Sequence, residues 1–126
     1  MIANKQNPYS QFNDEFRKRP KQFAIDVTKF YSSQRKSDEF KVLGKQLLRS
    51  ATSVASHFRA AARARSSKEF YSKICIVVEK ADETQFWLEL IEESEITKDA
   101  QLKILQTEAS EILAMVTAMK TKLRNQ

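Results

Sequence analysis

Apolar residues recur along this chain at intervals of three and four over four separate stretches, the spacing that gives an α-helix one buried face. In the last stretch Leu102, Leu105, Ala109, Ile112, Val116, Met119 and Leu123 keep that spacing without a miss. In the second, Phe40, Leu47, Val54 and Ala61 stand at strict sevens, interleaved with Gly44, Ala51 and Phe58, also at sevens, which predicts a bundle seam. The small residues Gly44, Ser50, Ala51 and Ala55 predict close approach of a neighbouring helix there. The third stripe is Phe70, Ile74, Val77, Ala81, Leu88 and Ile91, interrupted at Thr84 and Gln85 and reaching about Glu93. The first is shorter: Phe23, Val27 and Phe30, with Ala24 and Tyr31 beside them.

Polar punctuation sets the boundaries. Residues 1–13 are polar, contain Pro8 and show no period, so they read as a flexible N-terminal arm, with 14–126 as a single four-helix bundle domain. Pro20 suits a first helical turn and predicts a helix from there to about Gln34. Phe12 and Phe16 continue the apolar spacing backwards, an extension that Pro20 is expected to bend or break. Ser37 or Asp38 can cap the second helix, and Ser66 and Glu69 have the Ser-x-x-Glu spacing of a capping box for the third. Thr97 reads as the cap of the fourth, with Asp99 in its first turn. Connections of about three to six residues force neighbouring helices antiparallel, so the expected fold is all-α, an up-down-up-down four-helix bundle.

Composition agrees. One Gly and two Pro supply too little turn chemistry for a many-stranded sheet. A single cysteine, Cys75, cannot form an internal bridge, the first residues lack the layout of a secretory signal, and no run is apolar enough to span a bilayer. A soluble, cytoplasmic protein without a membrane partner is expected.

The charge is more informative in its distribution than in its net value of +6. Between Lys41 and Lys68 there are seven bases and no acid, whereas Glu69 to Glu111 holds eleven acids and four bases. Pairing within or between subunits could absorb much of the basic charge. At about 100° per residue, Lys45, Arg49, Thr52, Ser56, Arg59 and Arg63 form one line opposite the second helix's seam. Together with Arg65 the bases of this line are candidate contacts for the phosphates of RNA or DNA, although no aromatic residue interleaves them for base stacking. A solvated or salt-bridged outer face has the same pattern. The third helix carries Ile76, Trp87 and Leu90 on the side roughly opposite its core stripe, next to Glu79 and Glu83, a second apolar face suited to a subunit interface.

Catalytic patterns are lacking. His57 lies on the flank of the second seam and Cys75 on another helix, and the same-face carboxylates Glu79, Asp82 and Glu83, or Glu89, Glu92 and Glu93, have no Glu-x-x-His partner of the kind that holds metals in bundles. One glycine cannot build a phosphate-binding loop. The expected protein is not an enzyme and takes no metal, cofactor or small-molecule substrate.

The run from Arg49 to Ser94 resembles the four-helix-bundle proteins first recognised in intervening sequences of bacterial 23S rRNA genes. The resemblance is carried by Ser53-Val54, Arg59-Ala60-Ala61 and Arg63-Ala64-Arg65-Ser66, then by Glu69-Phe70, Ala81-Asp82-Glu83 and Trp87-Leu88-Glu89-Leu90. Phe23-Ala24 and Val27 fit the family's first helix, so the likeness covers roughly residues 16 to 124. Ala55 and His57 stand where the subgroup has Gly and Asn. The resemblance implies an up-down bundle assembled as a ring-shaped homopentamer, with no catalytic residue. It is similar in fold to the accessory proteins of diversity-generating retroelements, which work with a reverse transcriptase and nucleic acid. Two functions follow as expectations: a nucleic-acid-binding or scaffolding oligomer, or a purely structural assembly whose arginines pair with Glu79, Asp82, Glu83 or Glu89 of neighbouring subunits.

Overall fold

Of the apolar residues that the periodicity assigns to the four stripes, all are buried except Tyr31 and Leu123, which are half-buried. The computed structural model describes residues 14–125 and arranges them as α1 (Asp14–Ser33), α2 (Asp38–Ala62), α3 (Ser67–Glu93) and α4 (Gln101–Arg124). The arm assigned to 1–13, with Phe12, lies outside the described residues. The contacting pairs are α1 with α2, α2 with α3, α3 with α4, and α4 with α1, which closes an antiparallel square around one core. No helix among the described residues is long and apolar enough to cross a membrane.

The start of α1 corrects the expectation from Pro20, which lies inside the helix rather than at its first turn. Proline removes one hydrogen bond, the one to the Phe16 carbonyl, and a tertiary tie at the adjacent residue holds the turn in place. Arg19 donates from Nε and Nη2 to the two oxygens of Glu108 at 2.9 and 2.7 Å, and from Nη2 to Glu111 at 3.0 Å, joining α1 to α4. These hydrogen bonds, first Glu108 and then Glu111, raise the pKa of an already permanently charged guanidinium.

Where α1 turns into α2, the fully buried Phe40 ring meets Phe30 edge-on at 6.2 Å and stacks on Tyr31 at 5.5 Å, while the Lys36 ammonium lies over both Tyr31 and Phe40. Ser37 caps α2 by accepting the Phe40 N–H. A Cβ at Gly44 would sit 2.8 Å from the Phe40 ring. The space at this glycine is therefore filled by a ring of its own helix, not by the neighbouring helix that the small-residue pattern suggested.

Thr84, which interrupts the α3 stripe in sequence, is buried, and its hydroxyl meets that of Ser50 on α2 at 3.0 Å. Each hydroxyl also reaches a carbonyl of its own helix, Leu47 for Ser50 and Lys80 for Thr84. α3 starts with Ser66 accepting the Glu69 N–H, but the Glu69 carboxylate reaches back to the Arg65 N–H rather than to that of Ser66, so only half of the capping box forms.

α3 ends on a left-handed residue. Glu95 has φ 56°, its N–H donates to Glu92, and Ile96 donates to Ile91, the bond pattern of a Schellman motif that normally uses glycine. The connection 94–100 is longer than expected because it contains its own turn: Thr97 accepts the Asp99 N–H, and Asp99 accepts that of Gln101. Thr97 thus caps this turn, and Asp99 lies ahead of α4 instead of within it. The Gln34 side chain locks the turn to the α1–α2 connection, accepting from Thr97 at 2.7 Å and donating to Asp99 at 2.9 Å.

Two stability predictions follow from these contacts. Gly44→Ala gains about 1 kcal/mol of helix propensity but overpacks a locked ring, which costs roughly 1–3 kcal/mol; urea denaturation should show a net loss, and a gain would mean that the Phe40 ring is free to move. Glu95→Gly should stabilise by roughly 0.5 kcal/mol, because relief of the left-handed strain exceeds the unfolded-state entropy that glycine adds.

Candidate nucleic-acid interface

α2 buries one face against α1 and α3 and turns the opposite face to solvent. Lys45, Arg49, Arg59 and Arg63 are all exposed there, on a line of about 27 Å at 1.5 Å per residue. Thr52 and Ser56, which lie on the same line, donate back to carbonyls of their own helix, Leu48 or Arg49 and Ser53 respectively. Arg65 lies beyond the helix end, exposed beside the buried Ala64. Among the described residues none of these five bases forms a salt bridge, while Arg19, Lys80 and Lys103 do. Pairing within the protomer therefore does not neutralise the basic line. Of the acids expected to pair with it, Glu79, Asp82 and Glu89 are exposed on α3, and Glu83, which shares a groove with Arg49, pairs with Lys80.

Arg49 also borders a polar groove of about 200 Å³ between α2 and α3, lined by Gln46, Ser53, Lys80 and Glu83 as well. Lys80 pairs with Glu83 at 3.6 Å. Nearby, the half-buried His57 places Nδ1 2.8 Å from the Ser53 carbonyl. A carbonyl can only accept, so that nitrogen carries the proton.

The second surface of α3 is arranged differently from its helical wheel. Ile76, Trp87 and Leu90 are half-buried and Glu79 and Glu83 exposed, and Trp87 packs against the core. The residue standing out from α3 is Phe86, 53% exposed, with its ring edge-on to Trp87 at 4.9 Å. Its signal in the sequence is its place seven residues after Glu79 on the outermost line. Val42 on α2 and Ile104 on α4, 62% and 59% exposed, are further apolar residues open to solvent.

His57 and Cys75 are engaged with different partners. Cys75 follows Tyr71 by one turn on α3, and the nearby thiol, aided by desolvation and opposed by Arg124, raises the Tyr71 hydroxyl above the ordinary tyrosine range. Tyr71 also lines a hollow of about 340 Å³ with Ser67, Lys68, Leu123 and Arg124. No periodicity or spacing announces this hollow, because it forms only where the start of α3 meets the end of α4. The carboxylates weighed as metal ligands, Glu79, Asp82, Glu83, Glu89, Glu92 and Glu93, are all exposed, and no group of three metal-ligating side chains converges among the described residues.

A phenol whose folded-state pKa is raised favours the neutral folded form, so its contribution to stability is present below the ordinary tyrosine pKa and is lost as pH rises through the folded value. In a Tyr9→Phe, Tyr31→Phe background, absorbance titration should show Tyr71 ionising late. Adding Cys75→Ala should move it back down, and an unmoved curve would show that the thiol is not its partner.

The family model for the 23S rRNA-intervening sequence protein matches residues 13–118. Among solved structures the chain is similar to a protein of unknown function from the S23 ribosomal protein family of Bacteroides thetaiotaomicron VPI-5482. The two share 27% sequence identity and a TM-score of 0.77, over 86% of this chain and 96% of the other. No curated protein matches this chain.

Proposed function

The chain belongs to the 23S rRNA-intervening sequence protein family, and we propose that it is a self-assembling, non-enzymatic bundle that binds RNA or DNA through the outer face of α2. The observation that carries this reading is the set of five exposed bases, Lys45, Arg49, Arg59, Arg63 and Arg65, with no carboxylate partner among the described residues. A rigid helix presenting a line of bare cations releases condensed counterions when it neutralises phosphates, which gives binding that is strongly salt-dependent and largely independent of sequence. Self-assembly draws its support from the exposed Phe86 ring beside the half-buried Trp87 on the outward acidic side of α3. A pentameric ring is the form that the family resemblance implies.

Arg59→Glu with Arg63→Glu should abolish binding of RNA and DNA at low salt and leave the solution mass of the oligomer unchanged. In the unaltered chain affinity should fall steeply between two salt concentrations, with a log–log slope of about −0.9 per phosphate contacted on duplex DNA. Lack of binding at low salt, or binding untouched by the double reversal, would sink the proposal. An oligomer that falls apart in sedimentation when the arginines are reversed would instead identify them as intersubunit partners of α3 carboxylates.

A further inference from the structure

The charge of the bundle is concentrated at one end. α2 stops, α3 starts and α4 stops at the same end of the antiparallel square. There the stretch 59–73 carries five bases and one acid, Glu69, and 118–125 adds three bases and no acid. The Glu69 carboxylate is turned towards the Arg65 N–H. The hollow lined by Ser67, Lys68, Tyr71, Leu123 and Arg124 opens at this end.

Its walls differ in chemistry. The Tyr71 ring is half-buried and Leu123 packs against the core, so one side is aromatic and another aliphatic. Lys68 and Arg124 supply two cations at the same hollow. Its volume of about 340 Å³ lies in the range of pockets that take small planar molecules. A π-face beside positive charge is the combination by which proteins hold an unpaired strand, the base stacking on the ring and the phosphates meeting the cations. The line on α2 lacks any aromatic residue, so this hollow supplies what that line cannot. Arg63 and Arg65 lie in the chain between the two.

We infer that the nucleic acid bound by this protein is single-stranded, with one unstacked base seated on the Tyr71 ring and the adjoining phosphates held by Lys68 and Arg124. This rests on the reading of α2 as a nucleic-acid face and adds to it the form of the strand. A duplex keeps its bases stacked and paired and offers phosphates but no free base to the hollow.

Fluorescence anisotropy with one labelled oligonucleotide, presented as single-stranded RNA, as single-stranded DNA and as a duplex, tests this on the full chain at low salt. Single strands should bind more tightly than the duplex. Tyr71→Ala should weaken single-strand binding by about tenfold, in keeping with the loss of one stacked base, and leave duplex binding unchanged. Tyr71→Phe, which keeps the ring, should bind as the parent does, and Lys68→Glu with Arg124→Glu should weaken single strands independently. Circular dichroism on each variant confirms that the helices are kept. Equal binding of single strand and duplex, or single-strand binding indifferent to both Tyr71→Ala and the Lys68 and Arg124 reversal, overturns the inference while leaving the α2 reading intact. Failure of the unaltered chain to bind any of the three probes overturns both.

Discussion

Two buried hydroxyls 3.0 Å apart, Ser50 on α2 and Thr84 on α3, fix the register on which the other contacts of the bundle depend. Apolar seams built on sevens tolerate a shift of a whole heptad with modest loss, because one small or aliphatic side chain replaces another. A buried hydroxyl pair is less tolerant: each group keeps the carbonyl of its own helix, but the bond between them, worth about 0.5–1.5 kcal/mol, is lost. This pair lies within the most extensive helix–helix contact of the molecule, so it selects one alignment among several that hydrophobicity alone would permit. From that alignment follow the meeting of Arg49 with Lys80 and Glu83 in one groove and the arrival of the α2 and α3 termini at a common end.

The basic line is unfavourable for the isolated chain. Lys45 with Arg49 and Arg59 with Arg63 are like-charge pairs four residues apart, each destabilising a helix by about 0.2–0.5 kcal/mol. The protomer has carboxylates enough to relieve them and directs them elsewhere: Glu108 and Glu111 to Arg19, Glu92 to Lys103, and Glu83 to Lys80. Local repulsion left unrelieved on a helix whose other face is fully committed to the core is a departure from self-consistency, and such departures mark surfaces shaped by a partner. The same logic separates this face from the outer face of α3. There an apolar residue, Phe86, is left open among acids, a surface suited to another protein rather than to a polyanion.

The fold was legible because periodicity depends on residues near in sequence. The α4 stripe and the α2 sevens identify buried faces with no tertiary information, whereas at Thr84 polarity hid a core residue, since its hydroxyl finds a partner that only the fold supplies. Local rules failed where tertiary contacts override them. Pro20 signals a helix start, yet the Arg19 fork keeps the helix running through it. Gly44 signals helix–helix proximity, yet its room goes to the ring four residues earlier. The candidate site divides in the same way. Four bases of the α2 line were readable because they share one helix face, whereas the Tyr71 hollow joins residues more than fifty positions apart. Trp87 is half-buried, packed against the core on one side and open on the other.

The seam between α1 and α4 is the thinnest of the four in the square, and an arginine fork at the partly exposed surface ties it. α2, α3 and α4 are by contrast joined in sequence through deep apolar contact and a capped turn. The bundle is thus better viewed as a three-helix body with a fourth helix hinged at the Phe40 cluster and latched at its far end by Arg19. Opening of that latch would release α1 as one cooperative unit and bare an apolar trough along the other three helices, giving the chain a partly unfolded form that is separate from global unfolding.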